Sequence, residues 1–235
     1  MVNNLIIIPT YNEIVNSNLI YRKIRSISSS LDILFVDDNS PDNTASSIQS
    51  LMKEDKNLFL IIREKKLGIG SAHKEAFQWA ISRNYKVITT IDADLSHDPF
   101  LITEMHNKIN EYDIIITSRF IRDDSIEEWN KLRQTITRLR HWVVKFLLGV
   151  PVDSSGAFRT YNLNKIKSEH LFLAQDNGYS FFWESMFYLY KKKYKILELP
   201  MKQPQRIHGS SKIRLYDVYR AITYLLLFFL KNLFK

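Results

Sequence analysis

Four short apolar runs, at 5–8, 31–36, 58–62 and 86–91, alternate with stretches of helical spacing, and this alternation constrains the fold more than any other feature. Helical patterns occupy 14–27, 44–52 and about 71–82, another follows Pro99, and a fifth apolar run lies at 113–117. The pattern predicts an α/β fold, a mostly parallel sheet covered by helices on both faces. Ligands of such sheets sit beyond the carboxyl ends of the strands. Three polar groups stand at those ends here: Pro9-Thr10-Tyr11-Asn12-Glu13, Asp37-Asp38 and Asp92-Ala93-Asp94. Stability alone does not place polar groups at three successive strand ends.

The second half is less regular. A polar loop at 122–130 leads to an amphipathic helix near 131–148 and a turn through Gly149-Val150-Pro151. Helical patterns return at 181–191 and 216–230, with a strand at 195–199 between them. No repeat or second autonomous domain is apparent, so one domain is expected over 1–214, with an apolar helix at 215–235. The stretch 221–230 is nearly all aliphatic or aromatic but falls short of the ~20 residues a bilayer crossing needs. Flanked by Lys231 and Lys235, it suits either the headgroup layer of a membrane or a docking place on the protein itself.

Charge and composition narrow the partners. A net charge of +8 points to an anionic partner: nucleic acid, anionic lipid or a phosphorylated substrate. The absence of cysteine excludes disulfides, thiolate metal sites and a cysteine nucleophile. The opening Met1-Val2-Asn3-Asn4 lacks the basic flank and apolar stretch of a signal peptide, which favours a cytosolic chain.

Asp92 and Asp94 are the strongest chemical signal. Alternate residues on extended backbone can direct two carboxylates at one hard cation and its bound phosphates, which suits Mg2+ or Mn2+. A lone Asp-x-Asp is more often a helix cap, and position at a strand end reverses that preference. In Asp37-Asp38-Asn39-Ser40-Pro41-Asp42, Ser40 and Asp42 are expected to shape the turn into the next helix, and Asp38 to accept hydrogen bonds from a ribose or base. Lys65-Lys66-Leu67-Gly68-Ile69-Gly70 lacks the Gly-Lys-Ser/Thr ending of a phosphate loop and is expected only to shape a loop. Arg119, Arg133, Arg138, Arg159, Arg206 and Lys212 recur in loops or at element ends where phosphate binding is plausible.

In order along the chain, these segments resemble the family 2 glycosyltransferases, and among them the dolichol-phosphate (polyprenol-phosphate) mannosyltransferases. The resemblance covers nearly the whole chain. It is carried by the groups at 9–13, 36–42, 63–70 and 92–97, by Ser118-Arg119-Phe120, and by Asp153-Ser154-Ser155-Gly156-Ala157-Phe158-Arg159. Gly178-Tyr179 leading to Glu184, and the group from Arg206 to Lys212, complete it. The resemblance implies a GT-A fold in which Pro9, Tyr11, Glu13, Val36 and Asp38 line a nucleotide site, usually for GDP. It implies that Asp92, Ala93 and Asp94 hold the metal and donor diphosphate, and that Arg119, Arg206 and Lys212 bind phosphate. Arg133 and Thr137 match positions near an acceptor phosphate, shared with Arg119. Some members carry Gln where this chain has Ser96, which leaves open whether Ser96 joins the metal shell.

The expected reaction is inverting transfer of a hexose, mannose from GDP-mannose first, to dolichyl or polyprenyl phosphate, with Mg2+ or Mn2+ as cofactor. The expected place is the cytoplasmic face of a membrane, held peripherally through Lys191, Lys192, Lys193, Lys195, Lys231, Lys235 and the terminal helix, with a membrane-protein partner possible. One rival is a related transferase using UDP-glucose; another is a non-catalytic nucleotide- or nucleic-acid-binding protein. Nucleic acid is disfavoured because the basic residues are spread among acidic ones.

Overall fold

The computed structural model describes residues 3–204 and 215–233. The alternating half folds as β1 (Asn4–Thr10), α1 (Ile14–Ile27), β2 (Asp32–Asp37), α2 (Thr44–Met52), β3 (Leu58–Ile62), α3 (Ile69–Ser82), β4 (Val87–Thr90), α4 (Leu101–Lys108) and β5 (Ile114–Ser118). It continues with α5 (Lys131–Leu148), β6 (Arg159–Asn162), α6 (Phe181–Lys191), β7 (Ile196–Pro200) and α7 (Leu215–Leu233). The strands form one sheet in the order β3-β2-β1-β4-β6-β5-β7. Strands β1 to β4 run parallel, as do β5 and β7.

The expected mostly parallel sheet is therefore present, with one strand the sequence pattern does not announce. β6 runs antiparallel to both β4 and β5 and wedges between them. Its residues, Arg-Thr-Tyr-Asn, form no apolar run, and they are buried because pairing on both edges and polar contacts across the sheet satisfy them. The Thr89 and Thr160 hydroxyls meet at 2.8 Å in one such contact.

Alternation along β1 explains the two core layers. Leu5 and Ile7 face one side, with Phe77, Phe181 and Met186, while Ile6 and Ile8 face the other, with Ile20, Ile24 and Met105. A strand buried on both faces reads as a continuous apolar run, which is why β1 and β2 were legible as they were. α5 starts where the Asn130 side chain accepts the Arg133 amide at 2.8 Å, and ends at Gly149, whose φ of 63° favours glycine.

The terminal helix docks by one face. Leu225 and Phe228 are buried, with the Phe228 ring 5.2 Å from Trp183 and 5.0 Å from Phe187, and Arg220 pairs with Asp176 at 2.5 Å. Its other face exposes Tyr219, Ile222, Leu226, Leu227 and Leu230, and α5 likewise exposes Leu132, Ile136, Leu139, Trp142 and Phe146. Among the described residues no helix is long and apolar enough to cross a membrane.

Candidate active site

The carboxyl ends of β1 and β2 lie side by side, Pro9 opposite Val36 and Thr10 opposite Asp37. The two neighbouring aspartates there do different work. Asp37 is fully buried and accepts hydrogen bonds from Thr10 Oγ1 at 3.1 Å and from Ser40 N and Oγ at 2.8 and 2.6 Å, tying the two strand ends together. Ser40 Oγ in turn accepts the Asn12 amide at 2.9 Å. Asp42 accepts from Thr44 N at 3.0 Å and Ile14 N at 3.2 Å. Ser40 and Asp42 thus shape the turn as their residue types suggest.

Asp38 is held by the Arg63 guanidinium, which also donates to Glu75 at 3.0 Å and Ser71 at 2.7 Å. Burial pushes the Asp38 carboxyl up from its ordinary range against the pull of Arg63. The loop after β3 closes over this end. Gly68 has φ +98°, and a Cβ there would stand 2.4 Å from Asn177 O. Gly70 leaves no more room, since a Cβ would meet Phe181 Cβ at 2.6 Å. These glycines let the loop seat against residues 176–178, and Lys66 Nζ then lies 3.9 Å from the Tyr11 ring centroid. The basic loop therefore covers Tyr11 as well as turning the chain. Glu13, beside it, accepts Asn16 Nδ2 at 2.5 Å.

Asp92, Ala93 and Asp94 follow β4 at the centre of the sheet. Leu95 takes φ 60°, a left-handed turn that lets the Ser96 amide fold back onto Asp94 Oδ1 at 3.0 Å. Asp94 and Ala93 are buried, whereas the Asp92 side chain is 31% exposed, with His97 Nδ1 3.9 Å from its carboxylate. Next to them Gln203 Nε2 lies 3.5 Å from Ser96 Oγ. Two carboxylates, with a hydroxyl, a carboxamide and the His97 imidazole as neighbours, form an oxygen-rich donor set that fits a hard divalent cation. Among the described residues no three His, Cys, Asp or Glu side chains gather as a complete metal cluster.

Arg119 stands just past β5, clamped by a buried ion pair. Its Nε and Nη2 reach Asp153 at 3.1 Å each, and Nη2 reaches Ser155 Oγ at 2.6 Å. Burial alone would push the Asp153 carboxyl up, but the Arg119 guanidinium overrides it and holds the group well below the usual carboxylate range. Arg119 opens onto a cavity of about 390 Å³ lined also by Phe120, Arg122, Asp123, Arg138, His141 and Trp142. Arg133 and Thr137 do not line it, and the Arg133 guanidinium lies 3.6 Å from the centroid of the Trp129 ring.

Arg159 does not serve as a surface phosphate ligand. It is 1% exposed and spends its donors on Ser154 O, Gly156 O, Phe182 O and Ser185 Oγ, which lock β6 to α6. Arg206, Lys212 and Lys235 lie outside the described residues. Asp153 and Gln203 escaped the chemical reading of the residues: Asp153 offered only its place in a motif, and Gln203 sits in Met201-Lys202-Gln203-Pro204, which carries no recognisable spacing.

The model of glycosyl transferase family 2 matches residues 5–199. The undecaprenyl-phosphate mannosyltransferase of Micrococcus luteus is 30% identical over 210 residues, 89% of this chain and 86% of that one. The polyprenol monophosphomannose synthase of Mycolicibacterium smegmatis is 29% identical over 221 residues, 93% of this chain and 83% of that one. Among solved structures, glucosyl-3-phosphoglycerate synthase from Mycobacterium tuberculosis, in complex with Mn2+, uridine diphosphate and glucosyl-3-phosphoglycerate, superposes with a TM-score of 0.67. That match covers 97% of this chain and 79% of the other at 14% identity, and it establishes a shared fold.

Proposed function

From the premise that this chain belongs to glycosyl transferase family 2, we propose that it transfers a hexose, mannose from GDP-mannose first, onto polyprenyl or dolichyl phosphate at a membrane surface. The observation that carries the reading is the placement, at the carboxyl ends of two strands that run the same way on either side of β6, of an acidic group, Asp92 and Asp94, and a basic cavity lined by Arg119, Arg122 and Arg138. One suits a cation-bound diphosphate, the other a phosphate without a cation. The names of the two bacterial relatives support the lipid acceptor.

The reaction is a single displacement. A phosphate oxygen of the acceptor forms a bond to the anomeric carbon while the bond to the donor diphosphate breaks, and the electron pair leaves with the nucleoside diphosphate. One displacement inverts the carbon. The acceptor phosphate is already largely anionic near neutral pH, with a second pKa of about 6, so the site needs no dedicated base. Pro9, Tyr11, Glu13, Val36 and Asp38 line the nucleotide site, with Asp38 as acceptor for its ribose or base and Lys66 closing over Tyr11. Asp92, Ala93 and Asp94 meet the diphosphate, joined by Arg206 and Lys212. Mg2+ or Mn2+ held by Asp92 and Asp94 would stabilise the charge growing on the departing diphosphate. Arg119 and Arg138 bind and orient the acceptor phosphate in the cavity, whereas Arg133 and Thr137, expected at that phosphate, do not line it.

Peripheral attachment on the cytoplasmic face follows from the same reading. The exposed apolar faces of α5 and α7 carry Phe146 at 72% and Leu227 at 66% exposure, with Lys145 and Lys231 near the helix ends. Apolar faces with basic flanks suit the headgroup layer. The test is to incubate the chain with radiolabelled GDP-mannose, a short polyprenyl phosphate and Mg2+ or Mn2+, extract the organic phase, and repeat without metal. Metal-dependent label in the lipid phase supports the proposal. Label only from UDP-glucose keeps the mechanism and replaces the donor, and no label from any donor removes the lipid acceptor.

A further inference from the structure

Gln203 carries a buried polar atom that no group among the described residues satisfies. Its backbone amide donates to Ser125 O at 2.8 Å, and its neighbour Lys202 pairs with Asp124 at 2.8 Å, so the main chain is fixed without help from the side chain. The side chain rests against Ser96, with Nε2 at 3.5 Å from the hydroxyl. Ser96 is the residue whose amide holds Asp94 Oδ1, so the carboxamide stands one side chain away from that carboxylate. The other end of the carboxamide, Oε1, is buried and accepts no hydrogen bond among the described residues. A buried acceptor left without a donor is destabilising, and a ligand that fills the position removes that cost.

The neighbouring groups identify the ligand's chemistry. A hard divalent ion takes about six ligands, and Asp92 and Asp94 supply charged oxygens, with His97 Nδ1 3.9 Å from the Asp92 carboxylate but no three such side chains gathered into a complete set among the described residues. A carbonyl-type oxygen suits Mg2+ or Mn2+ as well as a carboxylate does, and adds no third negative charge next to a diphosphate. We propose that Gln203 Oε1 is a direct ligand of the divalent cation held by Asp92 and Asp94, an assignment that rests on the metal reading above. Ser96 then positions the carboxamide rather than binding the ion itself.

The experiment measures Mn2+ binding through the paramagnetic resonance of the free ion, with Mn2+ alone and with Mn2+ plus GDP. It compares the unaltered chain with Gln203→Leu, Gln203→Glu and Asp94→Asn, each checked by its melting curve. Gln203→Leu should weaken Mn2+ binding on the order of tenfold or more, and Gln203→Glu should restore it, with melting unchanged in both. A merely structural glutamine would move the melting curve and leave the ion's affinity alone. Unaltered Mn2+ affinity in Gln203→Leu, with loss in Asp94→Asn, overturns the Gln203 assignment and leaves the aspartate site standing. No effect in either variant, or no saturable Mn2+ binding by the unaltered chain in either arm, overturns both.

Discussion

Replacing Asp153 with Asn tests whether Arg119 is an anchored cation at the mouth of the cavity. The carboxylate is 1% exposed and accepts Arg119 Nε and Nη2 at 3.1 Å, the Ser155 amide at 3.0 Å and the Ser155 hydroxyl at 2.9 Å. An asparagine keeps the shape but removes the charge, and it turns an NH2 group toward donors that need an acceptor. Breaking one partner of a buried pair costs about 3–5 kcal/mol. At roughly 2–4 °C per kcal/mol for a chain of this size, the melting midpoint should fall by roughly 6–20 °C. Transfer assays on the folded variant below its midpoint should show a raised KM for polyprenyl phosphate, because Arg119 is no longer fixed at the cavity. Removing both charges with Arg119→Met and Asp153→Leu should recover much of the melting loss and none of the transfer. A single Asp153→Asn variant that melts within about 2 °C of the unaltered chain and keeps its KM would refute the clamp.

Further outcomes are expected. Asp94→Asn should abolish metal-dependent transfer with little change in melting, since an asparagine oxygen can still accept the Ser96 amide; near-normal turnover counts against the metal role. Gly68→Ala should cost about 1–3 kcal/mol and weaken GDP binding as the loop leaves Tyr11 and Asp38, read by melting and by GDP titration. Phe146→Ser with Leu227→Ser should lower sedimentation with anionic vesicles at least tenfold, from about 1.5–3 kcal/mol of burial lost per side chain, and leave melting unchanged. Phe228→Ala, which strips the docked face, should instead melt early. Burial lowers the His73 pKa to about 4, so the folded chain resists a proton that the unfolded chain accepts near 6.5. Stability from this group is complete above pH 6.5 and declines as pH falls towards 4, by about 2 kcal/mol between pH 7 and pH 5, and denaturant titrations of His73→Leu should lack that decline.

The parallel half of the fold was legible because its strands bury both faces and its helices bury one, so each leaves its own period in the residues. Leu5 to Ile8 reads as a strand for that reason, and Asp92 to Asp94 stands out because polar groups interrupt the pattern where it should end. β6 was not legible, because Arg159 to Asn162 are polar residues whose burial depends on partners far away in the chain. Arg159 shows the same limit from the other side: its residue type suggested phosphate, but carbonyls of residues 154, 156 and 182 consume its guanidinium. The terminal helix announced its apolar content without saying which residues would face Trp183 and which would face outward.

Taken by itself, the sequence determined the order of elements, the strand ends where polar groups collect, and the acidic residues suited to a hard cation. These follow from local periodicity and residue chemistry, which act over a few positions. Tertiary structure alone decided that Asp37 is a brace and Asp38 a partner of Arg63, that Asp153 fixes Arg119, that Arg138 rather than Arg133 reaches the cavity, and that Gln203 meets Ser96. Each joins residues distant in the chain or chooses between neighbours of the same type, and only the packing of the sheet and its helices sets those distances.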